Sequence, residues 1–418
     1  MRGRMSPETL TFGCRLNAFE SEAMRALARD AGLGNALIVN TCAVTAEAEA
    51  QARQAIRRVA REQPGRPILV TGCAAQILPQ AWASLPGVTR VIGNADKLRA
   101  EAWQTPGPIS PRLVSDVMQA RDIPASPVVE MAGRARAFLQ VQQGCDHRCT
   151  FCVIPYGRGP SRSVPMGAVV VNARAMVAAG AAEIVLTGVD IASYGTDLPG
   201  TPRLGQLARR LLALVPELPR LRLSSLDPAA VDEDLWRLIA EEPRFMPHLH
   251  LSAQHGADLM LKRMKRRHSR ADLLALTRRA RALRPDIAFG ADLIAGFPTE
   301  SAADFAELLS LVEAAGLTFL HIFPYSPRPG TPAARMPQLP VPLRRERAAL
   351  LRQAGRRQVQ RFLESRLGHE EDVLMERHGR GHTAHFAPVR MAEAPPPGTL
   401  LRGRAQAIAD DSLLVEAT

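Results

Sequence analysis

Short apolar runs alternate with amphipathic stretches along the first hundred residues. The runs predict four strands, at 9–12, 36–39, 68–70 and 88–92. The residues between them carry apolar side chains at helical spacing, as Phe19, Ala23 and Leu27 do. Because strands that alternate with helices form mostly parallel sheets, we expect an α/β domain over residues 1–105.

Proline interrupts this pattern between residues 106 and 133. Proline cannot stay inside a regular helix, so this segment is predicted to be an interdomain linker. The prolines concerned are Pro106, Pro108, Pro111, Pro124 and Pro127.

A second series of strands and helices follows the linker. Its six candidate strands lie at 137–142, 183–186, 221–224, 248–252, 287–294 and 318–323. Six such units are fewer than the eight of a complete TIM barrel. Residues 134–342 are therefore expected to form a partial (βα)6 TIM-like barrel.

The end of the chain has a third pattern. Residues 343–366 predict a basic helix, in which eight arginines are offset by two glutamates. Residues 367–418 contain short apolar runs separated by turns, which suits a small β-barrel. The predicted fold class is therefore α/β, with a small β-barrel at the C-terminus.

Charge and cysteine content narrow the possible functions. Lysine and arginine number 53 against 41 aspartates and glutamates, a formal net charge of +12. This excess favours a polyanionic partner, although an arginine-rich proteome would give the same balance. No apolar run suits a signal peptide or a membrane span, so we expect a cytoplasmic protein that does not bind membranes. In that reducing compartment the six cysteines are expected to serve metal binding or catalysis rather than disulfides.

Three cysteines lie close together in GCDHRCTFC, at residues 144–152. Cys145, Cys149 and Cys152 have the spacing Cys-x3-Cys-x2-Cys, which can hold three irons of a [4Fe-4S] cluster and leave the fourth iron open. An open iron can bind the amino and carboxylate groups of S-adenosylmethionine (SAM), and one electron then cleaves SAM to a 5′-deoxyadenosyl radical. The alternative is a zinc loop with His147 as fourth ligand, but zinc sites normally use Cys-x2-Cys pairs. The loop follows the first barrel strand, at the end of the barrel where such folds keep their chemistry.

The other three cysteines repeat one structural position. Cys14, Cys42 and Cys73 each follow a predicted strand of the N-terminal domain. Because parallel strands end at the same edge of a sheet, these thiols are expected to converge there. They could hold a second cluster, whose open iron could carry a sulfur species. The alternative is that they are small buried thiols that pack at strand ends.

These motifs resemble the methylthiotransferase family of radical SAM enzymes over nearly the whole chain. The resemblance implies an N-terminal cluster domain, a radical SAM barrel and a C-terminal RNA-binding β-barrel of the TRAM type. It also implies two [4Fe-4S] clusters and two SAM molecules per turnover, one a methyl donor and one the radical source. The matching segments include TFGCRLNAFESE (11–22), VNTCAVT (39–45), VTGCAAQ (70–76), QQGCDHRCTFCVIPYGRGPSRS (142–163), LTGVDIASYG (186–195) and HIFPYSPRPGT (321–331).

The residues after Cys14 indicate a branch of the family. GCRLNAFESE is similar to the branch that acts on N6-threonylcarbamoyladenosine in tRNA, whereas other branches more often have Gln-Met-Asn or Pro-Lys-Asn there. The resemblance implies methylthiolation at C2 of this nucleoside beside the anticodon, with the anticodon stem-loop as partner. It also implies a reducing partner such as flavodoxin or ferredoxin. Methylthiolation of isopentenyladenosine in tRNA or of an aspartate in a ribosomal protein remains an alternative, as does a non-catalytic iron–sulfur protein that binds RNA.

Residues at the ends of barrel strands are candidate SAM contacts by their place in the barrel order. Some have simpler explanations, since glycine also suits a tight turn and serine often caps one. The segment LSAQHG and the C-terminal region both depart from the family pattern. The candidate SAM contacts are Gly188, Asp190, Ser224, Gln254, Gly296 and Pro298.

Two further sets of residues are a basic run and a group of histidines. The basic run KRMKRRHSR (262–270) is predicted to contact RNA phosphates, with a merely solvated face as the alternative. Several histidines lack a spacing typical of metal ligands and are expected to be packing or surface residues. They are His248, His250, His255, His321, His382 and His385.

Overall fold

The N-terminal part of the chain is a five-stranded parallel sheet in the order β1 to β5. The structure, a computed structural model, describes residues 6–104, 112–124, 135–393 and 395–418. The elements of this part are β1 (Glu8–Thr11), α1 (Arg15–Asp30), β2 (Leu37–Thr41), α2 (Ala46–Glu62), β3 (Ile68–Gly72), α3 (Cys73–Ile77), α4 (Pro79–Ala83), β4 (Val88–Ile92) and β5 (Arg112–Leu113).

Helices cover both faces of this sheet, which is why β2 and β3 are buried along their whole length. Helix α2 packs on one face, where Ile56 lies in a core with Trp82. Helix α1 covers the other face, and its Leu16 and Phe19 belong to the same apolar core as the barrel residues. The N-terminal sheet and the barrel therefore share one core through α1.

The middle of the chain is an open barrel of six parallel strands in the order β6, β9, β10, β11, β12, β13. Isolated bridges join the two halves near β10 and β11. The barrel strands are β6 (Arg136–Gln140), β9 (Glu183–Thr187), β10 (Arg220–Leu223), β11 (His248–Gln254), β12 (Ala288–Ala295) and β13 (Phe319–Pro324). Two short strands, β7 (Gln142–Gln143) and β8 (Arg162–Ser163), form a separate antiparallel pair. The helices around them are α5 (Ile154–Arg158), α6 (Met166–Ala178), α7 (Leu204–Leu214), α8 (Glu233–Glu241), α9 (Asp258–Arg263), α10 (Arg270–Leu283) and α11 (Ala302–Ala314).

A long helix leads to a closed β-barrel at the C-terminus. Its elements are α12 (Val341–Glu364), β14 (Glu370–Met375), β15 (Arg380–Thr383), β16 (Pro388–Arg390), β17 (Leu400–Ala409) and β18 (Ser412–Ala417).

The C-terminal barrel closes the lower end of the open barrel, which is the end where the barrel strands begin. Phe386, in the turn between β15 and β16, stacks on His248 with 5.0 Å between ring centroids. The guanidinium carbons of Arg136 and Arg222 lie 4.9 and 5.1 Å from the centre of the same ring. Arg136 and His248 are the first residues of β6 and β11. Phe386 therefore lies where the barrel strands begin, whereas the cysteine loop lies where they end.

The structure confirms the predicted fold class, the four N-terminal strands, the six barrel strands and the basic helix. It corrects the linker, because β5 lies within residues 106–133 and pairs with β4. Ser115, a little further along, donates to Asp96 of the N-terminal domain. Four of the five linker prolines, all except Pro124, lie outside the described residues. In the described part of the chain, no helix is both long and apolar enough to cross a membrane.

Gly72 should be intolerant of any side chain. Its φ is +98°, and a Cβ there would collide with the Thr41 backbone. Gly65 has a similar φ of +83° but open space around it, so Gly65→Ala isolates the backbone cost of about 1–2 kcal/mol. We expect Gly72→Ala to lower the free energy of unfolding by a further 1–3 kcal/mol or so, because of overpacking. Urea denaturation of the two apoproteins measures the difference, and equal losses would contradict the close approach.

Candidate functional site

The cysteine loop connects β7 to α5 at the upper end of the barrel. Its start is fixed because the Cys145 amide donates to the Gly159 carbonyl at 3.0 Å. Two donors point at its sulfurs: the Ile154 amide lies 3.4 Å from Cys152 Sγ, and Arg266 Nη1 lies 3.7 Å from Cys149 Sγ. Burial raises the pKa of Cys145 and of Cys152 to about 12; Asp190 adds to the rise at Cys145, and the neighbouring thiols add to both.

The three N-terminal cysteines also converge, at the carboxyl ends of β1, β2 and β3. Cys42 and Cys73 are buried, whereas Cys14 is exposed. Gly13 brings the Cys14 turn close to Cys42, since a Cβ on Gly13 would lie 2.8 Å from Cys42 Sγ. Donors again face sulfur: the Val44 amide lies 3.4 Å from Cys42 Sγ, and Arg158 Nε lies 3.1 Å from Cys73 Sγ.

Both sets fit iron–sulfur clusters better than they fit packing thiols. All six cysteines are free. Amide and guanidinium donors aimed at sulfur stabilise thiolates, which are the form that binds iron. Burial raises the pKa of Cys42 to about 12, so this thiol holds its proton until a metal displaces it.

The two cysteine sets face each other. Helix α5, which follows the cysteine loop, packs on α3, which begins at Cys73. A Cβ on Gly157 would lie 3.1 Å from the Cys73 Cβ. Burial raises the pKa of Cys152, and Cys73 is close enough for its thiolate to contribute to that rise. A group held by one set would therefore lie next to a group held by the other.

A buried charge network holds this junction together. Arg158 is 1% exposed, and its guanidinium binds both oxygens of Glu20, one of them at 3.0 Å. It also donates to Gln143 Oε1 at 3.0 Å. Lys97 Nζ, fully buried, lies 2.6 Å from the second Glu20 oxygen. Burial opposes ionisation of Glu20, but Arg158 and Lys97 outweigh it and hold its pKa at about 2.

The loop after β9 carries two of the predicted SAM contacts, Gly188 and Asp190. The side-chain oxygen of Gln142 accepts from the amides of Val189 and Asp190, at 3.0 and 2.8 Å. A Cβ on Gly188 would lie 2.8 Å from the Gln142 carbonyl, so glycine permits this close approach. Asp190 Oδ2 lies 3.0 Å from Nε2 of His147, which ties the loop to the cysteine loop.

The other predicted SAM contacts end strands at the same upper end of the barrel. Ser224 follows β10 and is buried, and Gln254 ends β11 with a φ of 65°. Gly296 follows β12, where a Cβ would lie 2.7 Å from Cγ of Arg344, so its lack of a side chain serves the packing of α12. Pro298 is buried two residues further on. Their contacts with SAM stay predictions.

The basic run 262–270 divides between the inside and the surface. Arg266 is directed inward: its side chain is 8% exposed and binds Asp227 at 3.2 Å and the Ser252 carbonyl at 2.9 Å. The prediction that Arg266 contacts phosphate is therefore wrong, because its partners are internal and include Cys149. Lys262 and Lys265 are exposed.

Two histidines expected to be packing or surface residues form a polar cluster with Asp292: His250 is buried and His321 is exposed. His250 Nε2 and His321 Nδ1 lie 3.0 and 3.2 Å from the same oxygen of Asp292. They meet because β11, β12 and β13 are neighbours in register. Neither the spacing nor the composition of the sequence indicates this arrangement.

Comparison with known proteins identifies the family. Residues 139–312 match the radical SAM superfamily, and residues 8–93 match a family described as uncharacterized protein family UPF0004. The threonylcarbamoyladenosine tRNA methylthiotransferase MtaB of Rickettsia prowazekii is 49% identical over 94% of this chain and 92% of its own length. The chain belongs to the radical SAM methylthiotransferase family. Its cofactors are SAM and [4Fe-4S] clusters, and its two cysteine sets fit two clusters.

More distant relatives include both tRNA branches. MtaB of Aquifex aeolicus is 32% identical over 94% of this chain and 98% of its own length. The tRNA-2-methylthio-N(6)-dimethylallyladenosine synthase of Novosphingobium aromaticivorans is 36% identical over 90% and 88%. Among solved structures, the radical S-adenosylmethionine methyltransferase TsrM from Kitasatospora setae has a TM-score of 0.52 at 17% identity, over 72% of this chain and 66% of that one. That likeness concerns the fold alone.

Removing the charge of Glu20 should destabilise the protein more than removing that of Lys97. Glu20→Gln leaves two buried cations without an anion, which costs about 3–5 kcal/mol. Lys97→Met leaves Glu20 paired with Arg158 and should cost clearly less. Urea denaturation of the apoproteins measures both, with exposed Glu62→Gln as the control. Equal losses from the two network variants would show that Glu20 does not hold the cations together.

Proposed function

We propose that this chain is a tRNA methylthiotransferase that modifies C2 of N6-threonylcarbamoyladenosine beside the anticodon. The observation that carries the proposal is the likeness to MtaB over nearly the whole of both chains. Two adjoining sets of three free thiols support it, because the reaction needs both a radical source and a sulfur carrier. The printed names of the relatives described above are those of tRNA-modifying enzymes, which favours tRNA over the ribosomal-protein alternative.

Each cysteine set takes one part of the reaction. Cys145, Cys149 and Cys152 hold one [4Fe-4S] cluster, and Cys14, Cys42 and Cys73 hold the other. When bound, the first cluster supplies the electron that cleaves SAM, and the second holds the sulfur that is methylated and transferred. Arg158 keeps the two sites adjoined, while Arg266 stabilises the Cys149 thiolate. Gly188, Asp190, Ser224, Gln254, Gly296 and Pro298 line the SAM site.

Each domain of the chain has one role in this reaction. Residues 1–105 and the edge strand β5 form the sulfur-carrying domain, and residues 134–342 form the radical SAM domain. Residues 367–418 form a TRAM-like domain. With exposed arginines of α12, it binds the tRNA body by shape and backbone contacts. These arginines are Arg345, Arg352, Arg356 and Arg357. The reductant is a small protein such as flavodoxin or ferredoxin, and the enzyme works in the cytoplasm with its tRNA substrate.

Loss of the gene should remove the 2-methylthio group from threonylcarbamoyladenosine in tRNA. Mass spectrometry of digested tRNA from deletion and complemented strains measures this. A second candidate is 2-methylthio-isopentenyladenosine, since dimethylallyladenosine synthases are 35–36% identical to this chain. Loss of that nucleoside instead would reject the first assignment, and no change in either would reject both.

The two cysteine sets should be separable by mutation. Cys149→Ala should abolish reductive cleavage of SAM, because two thiolates cannot hold an open cluster in place. Cys42→Ala should leave SAM cleavage but abolish the methylthio product, and iron should fall by about four atoms per chain. Chromatographic assays of 5′-deoxyadenosine and of nucleosides measure the two activities. A methylthio product from Cys42→Ala would mean that the N-terminal thiols only pack.

A further inference from the structure

Resting on the proposed function, we propose that Arg15 binds the carboxylate of the threonyl group on the target nucleoside and so sets the specificity of the enzyme. Arg15 directly follows Cys14, at the start of α1. Its side chain extends into the barrel interior, where Cζ lies 5.8 Å from the centre of the Phe386 ring. It therefore spans from the sulfur-carrying site into the interior that a flipped nucleotide would enter.

The charged groups that act on Arg15, which are Arg136, Arg222, Asp292 and Glu183, already have partners. Arg222 binds the two oxygens of Glu183 at 2.8 and 3.1 Å. Arg136 pairs with Glu376 and lies 3.6 Å from Glu183. Asp292 accepts from two histidines, as described above. Among the residues that the structure describes, these contacts leave each carboxylate engaged.

Arg15 differs from these groups. Within the described ranges it makes no hydrogen bond and has no carboxylate within 4.0 Å. Burial, with Arg136 and Arg222 acting in the same direction, lowers the pKa of Arg15, and Asp292 and Glu183 oppose this shift. A guanidinium held in that position without an anion is ready to bind one, and its planar fork matches a carboxylate.

The threonylcarbamoyl group supplies such an anion. Adenosine and isopentenyladenosine have no carboxylate at this position, whereas the threonyl group has one. In the purine ring, C2 and the carbon that bears N6 both flank N1, so a substituent on N6 lies on the same side as the reacting carbon. A residue beside Cys14 can therefore hold the substituent while C2 faces the sulfur-carrying site.

Binding of anticodon stem-loops to the holoprotein without SAM tests this contact directly. Three loops are compared by fluorescence anisotropy, with threonylcarbamoyladenosine, its methyl ester or isopentenyladenosine at the target position. The wild type should bind the free acid roughly 10- to 100-fold more tightly than the ester, the range for a hydrogen bond to a charged group. Arg15→Gln should bind acid and ester alike, and Arg15→Lys should keep part of the preference.

Controls separate this contact from general RNA binding. Arg29→Gln removes the same charge from the same helix, where the guanidinium is exposed and pairs with Asp30 at 3.2 Å, and should keep the full preference. Iron content and circular dichroism verify that Arg15→Gln retains both clusters and the fold. If Arg15→Gln weakens all loops equally, or if the wild type does not distinguish acid from ester, the proposal is overturned.

Product analysis distinguishes failure of this inference from failure of the proposed function. If the wild type methylthiolates isopentenyladenosine and not threonylcarbamoyladenosine, the proposed function itself is wrong. If it methylthiolates threonylcarbamoyladenosine and Arg15→Gln binds acid over ester as the wild type does, only the assignment of Arg15 is wrong.

Discussion

The contact of Arg158 with Glu20 holds the catalytic half of the molecule together. Arg158 belongs to the segment that follows the cysteine loop of the barrel, and Glu20 belongs to the first helix of the N-terminal domain. Because both charges are buried, each requires the other, and Lys97 completes the balance. Folding lowers the pKa of Glu20 from 4.5 to about 2, so this stabilisation is present above about pH 4.5 and is lost as the pH falls toward 2. The same guanidinium donates to Cys73, so the docking of the two domains and the N-terminal cysteine set depend on one side chain.

The parallel topology of the sheet and of the barrel places both cysteine sets near the contact of Arg158 with Glu20. Strands of a parallel sheet end at one edge, and strands of a parallel barrel end at one mouth. Here the edge and the mouth face each other, because α1 lies between the N-terminal sheet and the barrel and shares the core of both. Six cysteines distributed over 139 residues of sequence, from Cys14 to Cys152, thereby come to two adjoining positions.

Features that appear as a local pattern of residues could be predicted from the sequence. Strands β2 and β3 are buried on both faces and so appear as continuous apolar runs, and the spacing of Cys145, Cys149 and Cys152 is local. Strand β5 escaped prediction because it has two residues and both are exposed. The partners Arg158 and Glu20 are 138 residues apart, beyond the reach of any periodicity. One signal was available, since Glu20 lies among apolar residues on the buried face of α1 and a charge there requires a partner.

The position of Phe386 makes the C-terminal barrel part of the floor of the open barrel as well as a proposed RNA-binding domain. Its ring covers His248, which is buried, and lies against Arg136 and Arg222. Cutting the chain after α12 would remove the Phe386 ring and expose to water the buried ion pairs that Arg136 and Arg222 make with Glu183. A truncated protein would therefore lose the floor of the open barrel together with the proposed RNA-binding domain, so no such truncation can separate the two effects.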